Sequence, residues 1–222
     1  MLSALFMDKE PVVVVIRPSD LSLKTSDVVE RIISGIMESG EVDVTGIGDS
    51  MFLACAAINM ATDIANIFVD EICIEPLDVS ALGKIPAIST HLGQTNTVDF
   101  KKLVEEGDQG MVEDQVVSVG RGINIDKLLT TCLLKLSHYD KLKLMAAGGA
   151  INDAVSLTLK LTTGNISRDT IGVKLMDIYS IVSRDDKNRK ITAVTIYLQK
   201  GVATEYSSRH SDFVKRLKST YK

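Results

Sequence analysis

The sequence has little of several residue types that usually mark a binding site or a covalent framework. It contains no tryptophan, aromatic residues make up 5% of it, and its cysteines number three. Few aromatic rings leave little surface for stacking on unpaired bases, so a module that binds single strands by stacking is not indicated. The cysteines are scattered in apolar stretches without a CxxC pair, at Cys55, Cys73 and Cys132. We therefore expect them to be reduced core residues.

Catalytic, metal and membrane signatures are also missing. No GxSxG, P-loop or HExxH motif occurs, so we expect a protein that is not an enzyme. The three histidines are isolated in the sequence, at His91, His138 and His210, which predicts neither a metal site nor a cofactor site. No apolar run approaches the ~20 residues of a membrane span. The first residues lack the basic stretch of a signal peptide, so we expect a cytoplasmic protein without membrane contact.

The residues that are present favour a packed core. Apolar residues make up 45% of the 222 positions, enough for one large or two small domains. From Gln115 to Leu161 the hydrophobic period changes between strand-like and helix-like. The order is an apolar run at 116–119, a helical stripe at 125–136, an alternating strand at 142–146 and a small-residue helix that opens at Gly148-Gly149. This βαβα order predicts a sheet with helices packed on one face.

The first half repeats the same order of patterns, which predicts an internal duplication with a period of roughly 110 residues. The run VVVVI at 12–16 is typical of a buried strand. We place a βαβαββ domain at residues 1–92, an acidic linker at 93–114, a second such domain at 115–200 and a basic tail with a short helix at 201–222. The predicted fold class is α/β, an α+β sandwich with helices on one face of a mixed four-stranded sheet in each domain.

Charge is divided unequally between the halves. Residues 1–113 carry 7 Lys and Arg against 19 Asp and Glu, whereas residues 114–222 carry 18 against 10. The formal charges of the halves are therefore −12 and +8. A basic half favours contact with polyanions, while ordinary surface variation is the alternative interpretation.

A family resemblance rests on two motifs in the second half. The run VSVGRG, an amphipathic helix and then KLKLMAAGGAINDAV resemble the Alba family of small archaeal nucleic-acid-binding proteins. That family shows a strand ending in Gly-Lys-Lys, a helix, a strand and a Gly-containing basic turn followed by A-I-S-x-A-V. Gly120 and Arg121 lie on the first motif, and the second is matched by Gly148, Ala150, Ile151, Ala154 and Val155. The resemblance covers roughly residues 115–200 and implies a tandem variant with two Alba-like domains.

The resemblance also implies which residues meet nucleic acid. Arg121 stands where the family carries contact lysines, and its guanidinium can donate two hydrogen bonds to one phosphate. The turn Gly148-Gly149 lacks the family's flanking arginines, but N–H groups at a helix start can still hold a phosphate. The family's hairpin arm corresponds here to a tip with the bases Arg184, Lys187, Arg189 and Lys190. The structural alternatives are an exposed turn residue, a glycine pair that permits close packing, and a solvated charged turn.

The expected function is binding of RNA or DNA through the phosphates, mainly by the second domain and without strong base readout. A nucleoid-associated location is then an option besides a free cytoplasmic one. The alternative is a protein-interaction or scaffolding module on a fold that has lost nucleic-acid binding. Alba domains commonly pair as homodimers, so we expect the two domains to form that pair internally, with further self-association left open. The unequal charges of the halves favour such a contact.

Overall fold

The chain consists of two units with the same order of strands and helices. The computed structural model describes residues 10–79, 83–163, 170–183 and 186–220. The first unit comprises β1 (Val12–Ile16), α1 (Thr25–Ser39), β2 (Glu41–Ile47), α2 (Met51–Ile64), β3 (Phe68–Val79) and β4 (Gly83–Gly93). A connecting helix follows, α3 (Phe100–Asp108). The second unit comprises β5 (Val116–Val119), α4 (Ile125–His138), β6 (Lys141–Ala147), α5 (Ala150–Thr163), β7 (Ile171–Val182) and β8 (Lys190–Lys200). The last helix is α6 (Ser208–Thr220).

Each unit forms its own four-stranded mixed sheet. The strand orders are β1-β2-β4-β3 and β5-β6-β8-β7. In both sheets the first pair is parallel and the other two pairs are antiparallel. The registers also correspond, because Val42 pairs with Leu92 in the first sheet and Leu142 with Leu198 in the second. The fold class predicted from the sequence is therefore confirmed.

Helices α1 and α2 cover one face of the first sheet, and α4 and α5 cover the matching face of the second. The apolar stripe of α1 points inward and consists of Val28, Val29, Ile32 and Ile36. Gly46 lets α2 approach β2, because a Cβ there would lie 2.6 Å from the Cβ of Ala54. Small residues at this contact bring the helix close to the strand.

One prediction about a strand is wrong. The run VVVVI was expected to be buried, but β1 is an edge strand of its sheet. Val13 is 37% exposed, while Val14 and Ile16 are buried. An edge strand with α1 on one face hides alternate side chains only, so an uninterrupted apolar run overstates its burial.

The opposite faces of the two sheets carry different helices. In the first unit α6 lies on this face, where Phe213 and Leu217 form an apolar cluster with Ile47, Leu77 and Ala87. In the second unit α3, from the segment expected to be a linker, contacts β7. The linker segment 93–114 is thus part of the packed structure in the region of α3.

Polar anchors hold α3 on the second sheet. The Asp108 carboxylate accepts a hydrogen bond from the Tyr197 hydroxyl at 2.9 Å and forms an ion pair with the Lys143 ammonium at 2.6 Å. Burial lowers the pKa of Lys143, but hydrogen bonds with Asp108 and Tyr197 outweigh this and hold the pKa above its ordinary value. Lys143 therefore remains a cation across the neutral range.

The two units pack against each other reciprocally. Helix α5 contacts β3 and β4, helix α2 contacts β7 and β8, and the two helices also contact each other. One apolar cluster joins the second core to residues of the first unit, namely Met51, Cys55, Ile74 and Ile88. This is the geometry of an isologous dimer made within one chain. The unequal charges were expected to favour the contact, but its centre is apolar.

Asn152 bridges the units with two hydrogen bonds. Its side-chain oxygen accepts from the backbone N–H of Phe52, and its amide donates to the carbonyl of Asp49, both at 2.9 Å. The starts of α2 and α5 therefore meet at the contact between the units.

The cysteines are buried in the core and free of disulfides, as predicted. Burial raises the pKa of Cys55 and Cys132 to about 12, so both thiols stay protonated and unreactive at neutral pH. In the part of the chain that the structure describes, no helix has the length and apolar character needed to cross a membrane.

Candidate nucleic-acid interface

The Arg121 turn lies at the carboxyl end of β5. Gly120, Arg121 and Gly122 are all exposed, and Gly122 has a φ of 70°, a conformation that favours glycine. The N–H of Gly122 donates to the Asp153 carboxylate at 3.2 Å. Asp153 on α5 therefore fixes the turn that presents Arg121.

The glycine turn lies beside it at the carboxyl end of β6. Because β5 and β6 are parallel, their carboxyl ends meet at one edge of the sheet. A Cβ on Gly149 would lie 3.4 Å from Cδ and Nε of Arg121, so the arginine side chain lies across this glycine. The structure thus brings together two residues that the sequence placed in different motifs.

Gly148 has a structural role in this turn. Its φ is 57°, and its N–H donates to the carbonyl of Thr192 at 2.9 Å. That N–H group therefore belongs to the link between the turn and β8, whereas phosphate binding and close packing were the two interpretations of this glycine pair. Gly48 has the same φ at the equivalent place in the first unit. The spacing of these two glycines is 100 residues, which is shorter than the period expected from the sequence.

The base of the hairpin arm adjoins the glycine turn. A Cβ on Gly148 would lie 3.7 Å from the Cγ2 of Ile191, the second residue of β8. The tip beyond it is closed by hydrogen bonds from the Arg189 N–H to the Asp186 carbonyl at 3.0 Å and from the Ser183 N–H to the Arg189 carbonyl at 2.8 Å. Lys187 and Arg189 are exposed on this tip. The remaining predicted tip base, Arg184, falls outside the described residues.

Lys190 is directed toward the other unit. Its ammonium lies 3.6 Å from the Asp63 carboxylate, near the end of α2, and both side chains are largely exposed. The predicted site residues therefore divide into three sets. In the first set Arg121 contacts Gly149, and Gly148 is the neighbouring residue in the turn. The second set is Lys187 and Arg189, which lie farther out on the arm. The third is Lys190, which forms the ion pair with Asp63.

The equivalent turn of the first unit has a different residue at the position of Arg121, and its own arginine, Arg17, stands one position earlier. By strand register Val13 corresponds to Val116, so Pro18 stands in the place of Arg121. Pro18 lies against Gly48, with its Cγ 3.5 Å from a Cβ added there. The residue after Gly48 is Asp49, where the second unit has Gly149. At the positions of Arg121 and Gly149 the first unit therefore has a proline and an acid.

The sequence analysis did not identify three polar residues of this region, two acids and one amide. Asp153 and Asn152 fall inside the motif AINDAV, where a polar pair in a helix of small apolar residues was the available signal. Asp63 gave no local signal, because its partner Lys190 lies in the other unit. Contacts between units are set by the packing of the two domains and have no periodic pattern in the sequence.

Comparison with known proteins finds similarity to solved structures. The chain is similar to ALBA1 from Trypanosoma brucei in its crystal structure, with 20% sequence identity and a TM-score of 0.34, over 50% of this chain and 88% of that chain. No protein-family model matches the sequence, and no curated protein matches it either.

Proposed function

We propose that the protein binds RNA or DNA through phosphate contacts of its second unit. The observation that carries this proposal is the side chain of Arg121 lying across Gly149, next to the base of the hairpin arm. A guanidinium held over a flat, side-chain-free turn can approach a phosphate closely and donate two hydrogen bonds to it. We include Lys187 and Arg189 on the arm as further phosphate contacts. Arg184 and Lys190 are the other two bases of the proposed interface.

The charges of the second half agree with this role. Residues 114–222 carry the formal charge of +8, and the acidic first half has Asp49 where the second half has Gly149. Binding is then expected on one side of the molecule, without a second equivalent surface. Contacts to phosphates carry no sequence information, so weak base preference is part of the proposal. The proposal also includes that the protein is not an enzyme, that it is cytoplasmic, and that its domains span residues 1–92 and 115–200.

A scaffolding role is the second candidate, and a specific observation favours it. Acids lie close to the proposed contacts, since Asp153 holds the Arg121 turn and Asp63 pairs with Lys190. In this alternative the fold keeps the domain pairing but contacts proteins instead of polyanions, and self-association is one form of such contact.

A filter-binding titration separates the two candidates. The full chain is titrated against a DNA duplex and an RNA duplex of matched sequence at several salt concentrations between about 50 and about 200 mM. Phosphate binding predicts that the logarithm of affinity falls linearly with the logarithm of salt concentration, by about 0.9 for each duplex phosphate neutralised. Absence of salt-dependent binding to either duplex would leave the scaffolding role.

A further inference from the structure

A cavity of about 370 Å³ lies where the two units and the start of α3 meet. The first unit contributes the end of α2 and the start of β3, and the second unit contributes β7. Residues 96 and 98–101 form the remaining wall. The volume is within the range of small-molecule sites, roughly 300–1,000 Å³, and such sites are common between domains. The cavity therefore has room for a small organic ligand.

Most of the cavity wall is apolar. Both units and the connecting segment contribute to it, and its main members are Ile67, Phe68, Ile72, Val98, Phe100 and Ile178. Three of these side chains also line a neighbouring cavity of about 180 Å³, namely Ile72, Val98 and Phe100. A ligand with an apolar body would lose contact with water here, which favours its binding.

The carboxylate of Asp177 on β7 also lines this cavity. Among the described residues no side chain gives it a hydrogen bond or an ion pair. Burial raises the pKa of Asp177, and a contact with the backbone N–H of Ile178 lowers it by less. A carboxylate withdrawn from water without a partner costs stability, so a structural role does not account for it. A perturbed acid in a cleft is instead a candidate for ligand recognition.

Two other charged residues line the cavity, and neither neutralises Asp177. Asp99 caps α3, where its carboxylate accepts from the Lys102 N–H at 3.1 Å. Lys101 is exposed and forms no ion pair with a described residue. The first half of the chain, which supplies most of the wall, carries the formal charge of −12. The surrounding potential therefore favours a cation over an anion.

The first unit shows that the fold does not require an acid at this position. By strand register Asp177 corresponds to Cys73, because they pair with Thr195 and Ser89 at equivalent points of β8 and β4. Cys73 is 2% exposed, and burial raises its pKa far above the ordinary value, so it stays neutral. A neutral side chain is thus compatible with this place in the sheet. The carboxylate of Asp177 is a feature of the second unit alone.

We propose that this cavity binds a small organic cation, a protonated amine attached to an aromatic or aliphatic body. The ammonium group donates hydrogen bonds to the Asp177 carboxylate, and the apolar wall covers the rest of the ligand. A neutral ligand of the same shape buries the same apolar surface but brings no charge to the carboxylate, and an anion is repelled by it. Selectivity for positive charge is therefore the signature of the site. The proposal does not depend on nucleic-acid binding.

Three probes of similar shape and different charge test this selectivity. The full chain is titrated with phenethylammonium, with neutral phenethyl alcohol and with the anion phenylacetate, and binding is followed by nuclear magnetic resonance. We expect the ammonium to bind about tenfold or more tightly than the alcohol, because a hydrogen bond to a charged group is the stronger kind. Phenylacetate should bind most weakly. Equal affinities of the ammonium and the alcohol, or no binding of the ammonium, would overturn the proposal.

The same titration locates the probe. Methyl signals of Ile67, Ile72 and Ile178 should shift together along one binding curve, because these side chains line the cavity. Ile16 and Ile151 are buried in the two cores and should keep their signals unchanged. Binding of the ammonium without shifts at the three cavity residues would place it elsewhere and refute the site.

A variant that removes only the charge identifies the recognising group. Asp177→Asn should lower the affinity for phenethylammonium about tenfold and leave the affinity for phenethyl alcohol close to the parent's, which reports an intact cavity. Asp78→Asn is the matched control, because it removes an exposed carboxylate from β3 and should bind both probes as the parent does. If Asp177→Asn binds the ammonium as tightly as the parent, the carboxylate is not the recognising group and the proposal is wrong. The comparison of probes in the parent decides independently of how this variant folds.

Discussion

The Lys190 ammonium lies 3.6 Å from the Asp63 carboxylate, so a base of the hairpin arm in one unit pairs with an acid of the other unit. Both side chains are largely exposed, and such a pair contributes roughly 0–1 kcal/mol to stability. Its main consequence concerns charge. An acid beside the arm reduces the positive potential that the arm offers to a polyanion.

Replacing Asp63 should therefore strengthen nucleic-acid binding. We expect Asp63→Asn to raise the affinity a few fold at low salt, because the substitution frees Lys190 for phosphate and removes a nearby negative charge. Filter binding measures the change. Glu30→Gln removes an equal charge from an exposed position on α1 and is the control. Equal effects of the two substitutions would show that net charge matters and that the ion pair does not.

Arg121 is the most informative single residue for the proposed interface. Arg121→Ala should reduce affinity for all sequences alike and make the salt slope shallower by about one, because one phosphate contact is lost. Arg31→Ala removes an exposed arginine from α1 and should leave the slope unchanged. An Arg121→Ala protein with the parent's affinity and slope would place the contact elsewhere.

The sequence predicted the order of elements because each element has its own hydrophobic period. The stripe of α1 and the alternation of β6 are local properties, and both give the correct element and inward face. Burial of β1 was overestimated, because the identity of an edge strand depends on strand order, which is not local. The contact of Arg121 with Gly149 was not predicted, because it depends on the parallel pairing of β5 and β6.

Contacts across long separations were not predictable in this way. His91 and His210 each looked like an isolated histidine, and only the docking of α6 joins them. Asn152 reads as one polar residue in a helix, although it bridges the two units. These residues depend on how whole elements pack, and a single sequence contains no periodic signal for that.

Asn152 should contribute measurably to the pairing of the two units. Asn152→Ala removes two hydrogen bonds, each worth about 1 kcal/mol, and we expect a loss of about 1–2 kcal/mol in the free energy of unfolding. Urea unfolding followed by circular dichroism measures it. Asn188→Ala at the exposed arm tip should change the free energy by less than about 0.5 kcal/mol. A neutral Asn152→Ala would mean that water replaces both bonds without cost.

Close packing of α2 on β2 gives a prediction about glycine. A Cβ at Gly46 would lie 2.6 Å from Ala54 Cβ and 2.9 Å from Met51 Cα, so helix and strand must separate to admit it. We expect Gly46→Ala to destabilise the protein by about 1–3 kcal/mol. Gly120→Ala is the matched control, because nothing lies within 4 Å of a Cβ there. Thermal unfolding of both variants checks the difference, and equal melting temperatures would contradict the close contact.

Glu71 makes the docking of α6 sensitive to acid. Burial raises the pKa of Glu71, but hydrogen bonds from the Ser207 side chain and backbone outweigh it, and charge on His91 and His210 adds to them. The pKa of Glu71 in the folded protein therefore lies below the ordinary value of 4.5. A carboxyl with a lowered pKa stabilises the docked state above its unfolded pKa, and this contribution is lost as the pH falls through the folded pKa. Docking of α6 should therefore weaken in acid, through proton uptake by Glu71 on release.

The substitution Glu71→Gln isolates this effect, because the amide oxygen can still accept from Ser207 but cannot take up a proton. We expect the dependence of α6 protection on pH below about 4.5 to become shallower by up to one proton. Hydrogen exchange at α6 across the acid range measures this slope. Glu105→Gln, an exposed position on α3, should reproduce the parent's acid slope. If Glu71→Gln leaves that slope unchanged, another carboxylate beneath α6 takes up the proton on release.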